Sequence, residues 1–144
     1  MSLETTNLRF MKNKSILITG ASGFIGFHIS LNLLKNGKKV IGVDNLNNYY
    51  SPKIKKNRLK ILTKFNNFKF YKLDVINFKK LEDIFYKSNI STIIHLAAQA
   101  GVAYSLEKPE KYFQTNLLGF FNICKIAKNF KIKKLLFASS SSVY

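Results

Sequence analysis

Two kinds of apolar stretch alternate along this chain from residue 12 onward. Ser15-Ile16-Leu17-Ile18-Thr19 is a short unbroken run closed by Gly20, as expected of a strand buried on both faces. Residues 24–35 place Ile25, Ile29, Leu33 and Leu34 at helical spacing, and Asn36-Gly37 supplies the stop. Val40-Ile41-Gly42-Val43 predicts a second strand. Pro52 opens a basic amphipathic helix over residues 52–64 whose apolar positions are Ile54, Leu59, Ile61 and Leu62. Phe68 to Leu73 predicts strand three, and residues 78–87 a helix turning Leu81, Ile84 and Phe85 inward. Thr92-Ile93-Ile94-His95-Leu96 predicts strand four. Pro109 should start the longest helix, over residues 109–129, with Phe113, Leu117, Phe120, Phe121, Cys124 and Ala127 buried. Leu135-Leu136-Phe137-Ala138 predicts strand five.

Continuous apolar strands alternating with helices mean a parallel sheet covered on both faces, an α/β doubly wound architecture. A complete dinucleotide-binding fold of this kind has six strands in two halves. The chain ends at Tyr144, directly after strand five, and so reads as a Rossmann fold truncated after its fifth strand. Met1 to Phe10 show no clear period, and residues 1–11 read as a loose extension or a mis-set start, leaving residues 12–144 as one domain.

The formal charge of +17 raises the question of nucleic acid. Of 24 basic residues only Arg9 and Arg58 are arginine, and the lysines are scattered in pairs such as Lys38-Lys39, Lys79-Lys80 and Lys133-Lys134. Base readout and bidentate phosphate grip favour arginine, so the charge reads as a solvated surface and no nucleic-acid partner is expected. No apolar run approaches the roughly 18 residues a membrane span needs. A single cysteine, Cys124, excludes a disulfide scaffold and fits a reducing cytoplasm. His28 and His95 stand without clustered ligand partners, so no metal is expected and both read as structural.

The chemistry sits in Thr19-Gly20-Ala21-Ser22-Gly23-Phe24-Ile25-Gly26, between strand one and its helix. Gly20 permits a tight turn, Gly23 lets backbone approach a pyrophosphate, and Gly26 lets helix and strand pack closely. The helix N-terminus offers unpaired N–H groups to the phosphates. Asp44 ends strand two, where a carboxylate accepts the adenosine ribose hydroxyls and repels a 2′-phosphate. Asn45-Leu46-Asn47-Asn48 follows with no arginine, which favours NAD over NADP. A turn-capping role for Asp44 is the competing reading.

The G-x-x-G-x-x-G spacing resembles the extended short-chain dehydrogenase/reductases. Three further segments narrow the resemblance to their NAD-dependent epimerase/dehydratase branch, and within it to the UDP-glucuronate 4-epimerases. They are Gly42-Val43-Asp44-Asn45-Leu46-Asn47-Asn48-Tyr49-Tyr50, His95-Leu96-Ala97-Ala98-Gln99-Ala100-Gly101-Val102 and Ala138-Ser139-Ser140-Ser141-Ser142-Val143-Tyr144. The resemblance implies that Phe24 and Ile25 give backbone contacts to the pyrophosphate, and that Asn45 joins Asp44 in the cofactor-binding set. It implies that Asp74 and Val75 hold the adenine edge, that Leu96, Ala97, Ala98 and Gln99 line the cofactor, and that Asn116 supports the site. Ser140 aligns with the serine that hydrogen-bonds the sugar 4-hydroxyl. Asn116 could instead only satisfy backbone groups, and Ser140 be ordinary strand-end polarity.

The family's Tyr-x-x-x-Lys pair would lie beyond residue 144, and Ala103 stands where the family usually carries arginine. Tyr49-x-x-x-Lys53 and Tyr104-x-x-x-Lys108 have the spacing, but Pro52 and Pro109 disfavour the helix that would put each pair on one face. The complete protein is therefore expected to be an NAD-dependent 4-epimerase with a nucleotide-sugar substrate, and a homodimer. A related epimerase, a 4,6-dehydratase and a non-catalytic dinucleotide-binding module remain open beside it.

Overall fold

The computed structural model describes residues 14–140. Leu17 and Ile18, adjacent in β1 (Ser15–Thr19), decide the layering, because consecutive strand residues point to opposite faces. Leu17 joins a core with Ile41, Val43, Leu81, Ile84, Ile93, Ile123 and Ile126, whereas Ile18 joins Ala21, Phe27, Leu34, Val40 and Leu62. Both faces of the sheet are therefore covered at its centre, as the unbroken apolar strands require, while Leu136 and Phe137 at its edge stay more than half exposed.

The elements follow as α1 (Phe24–Lys35), β2 (Lys39–Asp44), α2 (Pro52–Leu62), β3 (Phe68–Lys72), α3 (Phe78–Tyr86), β4 (Ile90–His95) and α4 (Val102–Glu107). A rod then runs through α5 (Pro109–Tyr112), a π segment (Phe113–Gly119) and α6 (Phe120–Asn129) to β5 (Lys134–Phe137). All strand pairs are parallel and the order is β3-β2-β1-β4-β5. The chain leaves β1 toward β2 on one side and returns through β4 on the other. That reversal opens a crevice at the carboxyl end of β1, where ligands bind in such folds. The expected extension at residues 1–11 and the last residues of the serine segment, Ser141 to Tyr144, lie outside the described residues.

Three helices only partly bury the face the apolar spacing suggested: Leu34 and Leu62 are in the core, and Ile29 and Leu33 pack against it. In α1, Gly26, Phe27, Ser30 and Leu34 face inward and Ile25 is exposed. Small residues at 26 and 30 lie on the buried side, and Gly26 lets the helix press on the turn after β1, a signal that apolar counting does not carry. In α2 the inward pair is Lys55 and Leu62, with Ile54 and Ile61 turned out. The rod has two apolar faces, and the sequence spacing selected the more aromatic one. Gly119, Asn122, Ile123 and Ile126 pack inward, while Phe113, Leu117 and Phe121 are each about 60% exposed. Phe120 and Ala127 are half-buried, and so is Cys124, which is not the fully buried thiol expected.

Candidate functional site

Gly20 takes a left-handed backbone (φ 68°), and a Cβ there would sit 2.9 Å from the backbone of Leu96 and Ala97. The turn therefore presses directly against the segment leaving β4. A Cβ at Gly26 would overlap the Gly20 carbonyl oxygen, so the close approach expected of Gly26 is made to the turn itself. Gly23 is the N-cap of α1, and a Cβ on it would lie 3.0 Å from the Gly20 oxygen. Phe24 and Ile25 open the helix with exposed side chains, and their N–H groups belong to the first turn, which has no intrahelical acceptors.

Asp44 is 7% exposed at the end of β2. Its Oδ2 accepts from the Ser22 N–H at 3.0 Å and its Oδ1 from the Leu46 N–H at 2.8 Å. The carboxylate thus ties the glycine turn to the β2 loop, so the turn-capping role is real. Each oxygen keeps a further lone pair for a ligand. Asp74, beyond β3, accepts from the Asn45 amide at 2.8 Å and from the Ile76 N–H at 3.1 Å. Val75 is fully buried against Gly119 of the rod. In the π segment, Asn116 accepts from the Gln99 N–H at 2.8 Å and donates to the Gln99 carbonyl at 2.9 Å. Irregular π turns of this kind recur at functional sites. Here the side chain holds the post-β4 segment in place.

One cleft is lined by Gly20, Gly23, Asp44, Asn45, Asp74, Val75, Leu96, Ala97, Ala98 and Gln99. A neighbouring cavity, lined by Leu96 to Gln99, Asn116 and Phe137, extends to Ser140 at its edge. All the expected site residues are thus brought to one end of the sheet. Phe24, Ile25 and Gly26 flank the first cleft, while Asn116 and Ser140 border the second. Among the described residues, no three His, Cys, Asp or Glu side chains group to hold a metal.

Two features escaped the sequence reading. Lys55, 5% exposed, lines the cleft and donates from Nζ to the Asn47 carbonyl (3.1 Å) and side-chain oxygen (2.6 Å). Burial lowers its pKa and the Asp44 charge pulls it back up. Two acceptors leave the third ammonium proton for a ligand. Its place in a lysine-rich helix hid it, although Lys55 stands one turn after the Asn-Tyr-Tyr loop. The second feature is a relay from β1. The Thr19 hydroxyl oxygen accepts from the Leu96 and Ala97 N–H groups, both at 3.1 Å, and lies 2.7 Å from His95 Nδ1. With two donors already on that oxygen, its own proton goes to Nδ1, which fixes His95 as the neutral Nε2–H tautomer. His95 is structural, as its position inside a strand suggested, and it anchors the cofactor-side segment.

Burial holds the His95 pKa at about 4, against an ordinary 6.5. A folded pKa below the unfolded one stabilises the fold above pH 6.5, and that contribution fades as the pH falls toward 4. The parent is expected to lose about 3 kcal/mol more stability than His95→Phe between pH 7 and pH 4. Urea unfolding at the two pH values measures the difference. Equal losses would remove His95 as the cause.

A glycine turn feeding a helix N-terminus, with an acidic residue ending the next strand, defines a dinucleotide-binding crevice. The family model described as GDP-mannose 4,6 dehydratase matches residues 17–144, and the chain belongs to that family. A UDP-glucuronate 4-epimerase of Thermodesulfobacterium geofontis is 50% identical over 128 residues, covering 89% of this chain and 40% of the relative. UDP-glucuronate 4-epimerase 1 of Arabidopsis thaliana is 43% identical over 131 residues, 90% of this chain and 30% of the relative. Among solved structures, the UDP-glucuronic acid 4-epimerase of Bacillus cereus, in complex with UDP-glucuronic acid and NAD, superposes with a TM-score of 0.82. It is 32% identical, over 90% of this chain and 41% of that one. The chain thus spans about two fifths or less of the length of these relatives.

Proposed function

We propose that residues 12–144 form the NAD-binding domain of a UDP-glucuronate 4-epimerase, which interconverts UDP-glucuronate and UDP-galacturonate through a 4-keto sugar. The observation that carries the reading is the crevice beside β1, where the glycine turn, Asp44 and the Gln99 segment line one cleft. The names of the two epimerase relatives and of the Bacillus cereus structure support the choice of sugar.

The residues present fit the dinucleotide, because Gly20, Gly23 and Asp44 line one cleft beside the N-terminus of α1. When bound, NAD supplies the acceptor and donor of hydride for C4 of the sugar. The N–H groups of Phe24 and Ile25 would bind the pyrophosphate, aided by the helix dipole. Asp44 would accept from the ribose hydroxyls, Lys55 would donate its third proton nearby, and Asn45, Asp74 and Val75 would border the adenine. Leu96, Ala97, Ala98 and Gln99 would orient the reactive ring, held by Thr19 and Asn116. Ser140 would donate to or accept from the sugar 4-hydroxyl; it is far too weak a base to remove that proton.

A tyrosine–lysine pair has to do that work, and neither spacing within the chain supplies one. Lys108 leaves the helix (φ −136°, ψ 58°), and Tyr49 turns its hydroxyl onto Gly101. The apolar Phe113, Leu117 and Phe121 face supports a homodimer. The lone Cys124 supports a cytoplasmic location, where a nucleotide sugar is the partner and nucleic acid is not. Among the described residues no helix is long and apolar enough to cross a membrane.

The test is an assay of the chain alone and of a fusion carrying the catalytic half of the Thermodesulfobacterium relative after Tyr144. Only the fusion is expected to interconvert the two uronate sugars. Turnover by the 144 residues alone, or a fusion active on UDP-glucose and not on UDP-glucuronate, would overturn the reading.

A further inference from the structure

The cleft has a bridge across its mouth. The loop leaving β2 carries Tyr49 and Tyr50, which both line the cleft, and it is pinned on two sides. Tyr50 faces the glycine turn: its hydroxyl is 3.8 Å from where a Gly23 Cβ would lie. Its ring lies 4.5 Å from the Lys55 ammonium, and Arg58 reaches its hydroxyl at 3.5 Å. Tyr49 faces the other way, toward the segment leaving β4. Its hydroxyl fills the place a Cβ at Gly101 would occupy, and its ring packs on Tyr104 with centroids 5.0 Å apart. The far side of the bridge is itself held. The Tyr112 hydroxyl donates to the Ala100 carbonyl at 2.5 Å and also contacts the Gly101 carbonyl oxygen. Gly101 adopts φ 98°, so its lack of a side chain serves both the backbone and the seat for Tyr49.

These contacts join the two loops that flank β1, one following β2 and one following β4. A dinucleotide reaching from Asp44 to Ala98 would lie between the same two loops. We propose that Tyr49, seated on Gly101 and Tyr104, is a latch whose opening sets the rate at which the dinucleotide enters and leaves. The proposal rests on the nucleotide-binding reading above. It explains how a cofactor regenerated in each cycle stays in place without very tight contacts. A latch closed with and without ligand slows association and dissociation together and leaves the equilibrium nearly unchanged, whereas an ordinary contact changes dissociation and affinity in step.

The test is stopped-flow measurement of NADH uptake and release, followed by NADH fluorescence, on the parent chain and on Tyr49→Ala, Tyr104→Ala and the double variant. Each single variant is expected to speed both rates by about tenfold with Kd within about threefold. The double variant should be no faster than either single one, because both break the same bridge. Unchanged rates, or a Kd that rises in step with dissociation at constant association, would overturn the latch. A parent chain that takes up no NADH would overturn the nucleotide reading together with it.

Discussion

Gly26→Ala is expected to destabilise the chain by about 3 kcal/mol or more and to abolish dinucleotide binding. The added methyl would overlap the Gly20 carbonyl oxygen and lie 2.8 Å from the Gly20 carbonyl carbon and 3.0 Å from the Ala21 Cα. All three are backbone atoms of one tight turn, so no side chain can swing aside to make room. Gly20 is in turn fixed by its contact with Leu96 and Ala97. Relief therefore requires α1 to lift from the turn. That movement uncovers Phe27 and Leu34, which pack in the core with Ile18 and Val40, and it takes the Phe24 and Ile25 N–H groups away from the cleft. Thermal unfolding and calorimetric titration with NAD would show both losses. A variant that melts with the parent and binds NAD equally would mean that α1 is not held by the turn.

Asp44→Ala is expected to weaken NAD binding by about 100-fold and to erase most of the preference over NADP. Two hydrogen bonds to a charged acceptor are worth about 3 kcal/mol together, which is the origin of that factor. The variant should also lose stability, because the buried carboxylate is the acceptor for the Ser22 and Leu46 N–H groups. Lys55 sharpens the second part of the expectation. With Asp44 removed, its ammonium remains at the cleft without the opposing charge, a setting that favours a 2′-phosphate. Parallel titrations of parent and variant with both dinucleotides would show the change. NAD affinity equal to the parent's would leave Asp44 with its structural role alone.

Much of this is legible in the sequence. β1 and α1 begin and end where Gly20, Gly23 and Asn36-Gly37 place them, because glycine turns and caps are local signals. The cleft lining was legible too, since a parallel doubly wound sheet puts the ends of all its strands on one side. What stayed hidden depends on which face of a helix meets the sheet. Ser30 and Gly26 carry the packing of α1 through smallness, which apolar periodicity does not register. The rod presents two apolar faces, and nothing in Phe113, Leu117 and Phe121 distinguishes a face that meets the sheet from one left for another partner. Lys55 was concealed for the opposite reason. A lysine in a lysine-rich helix reads as solvated, and only the rotation that points it at Asn47 makes it a cleft residue. The Thr19–His95 relay spans 76 positions and joins residues on neighbouring strands, so no spacing rule could announce it.

Calorimetric titration of the purified chain with NAD and, separately, NADP decides whether these residues hold NAD in the crevice beside β1. One NAD per chain is expected, bound with Kd of about 10 μM or tighter, and NADP at least about tenfold more weakly. No heat of binding from either dinucleotide, or equal affinity for the two, would contradict the assignment of the glycine turn and Asp44.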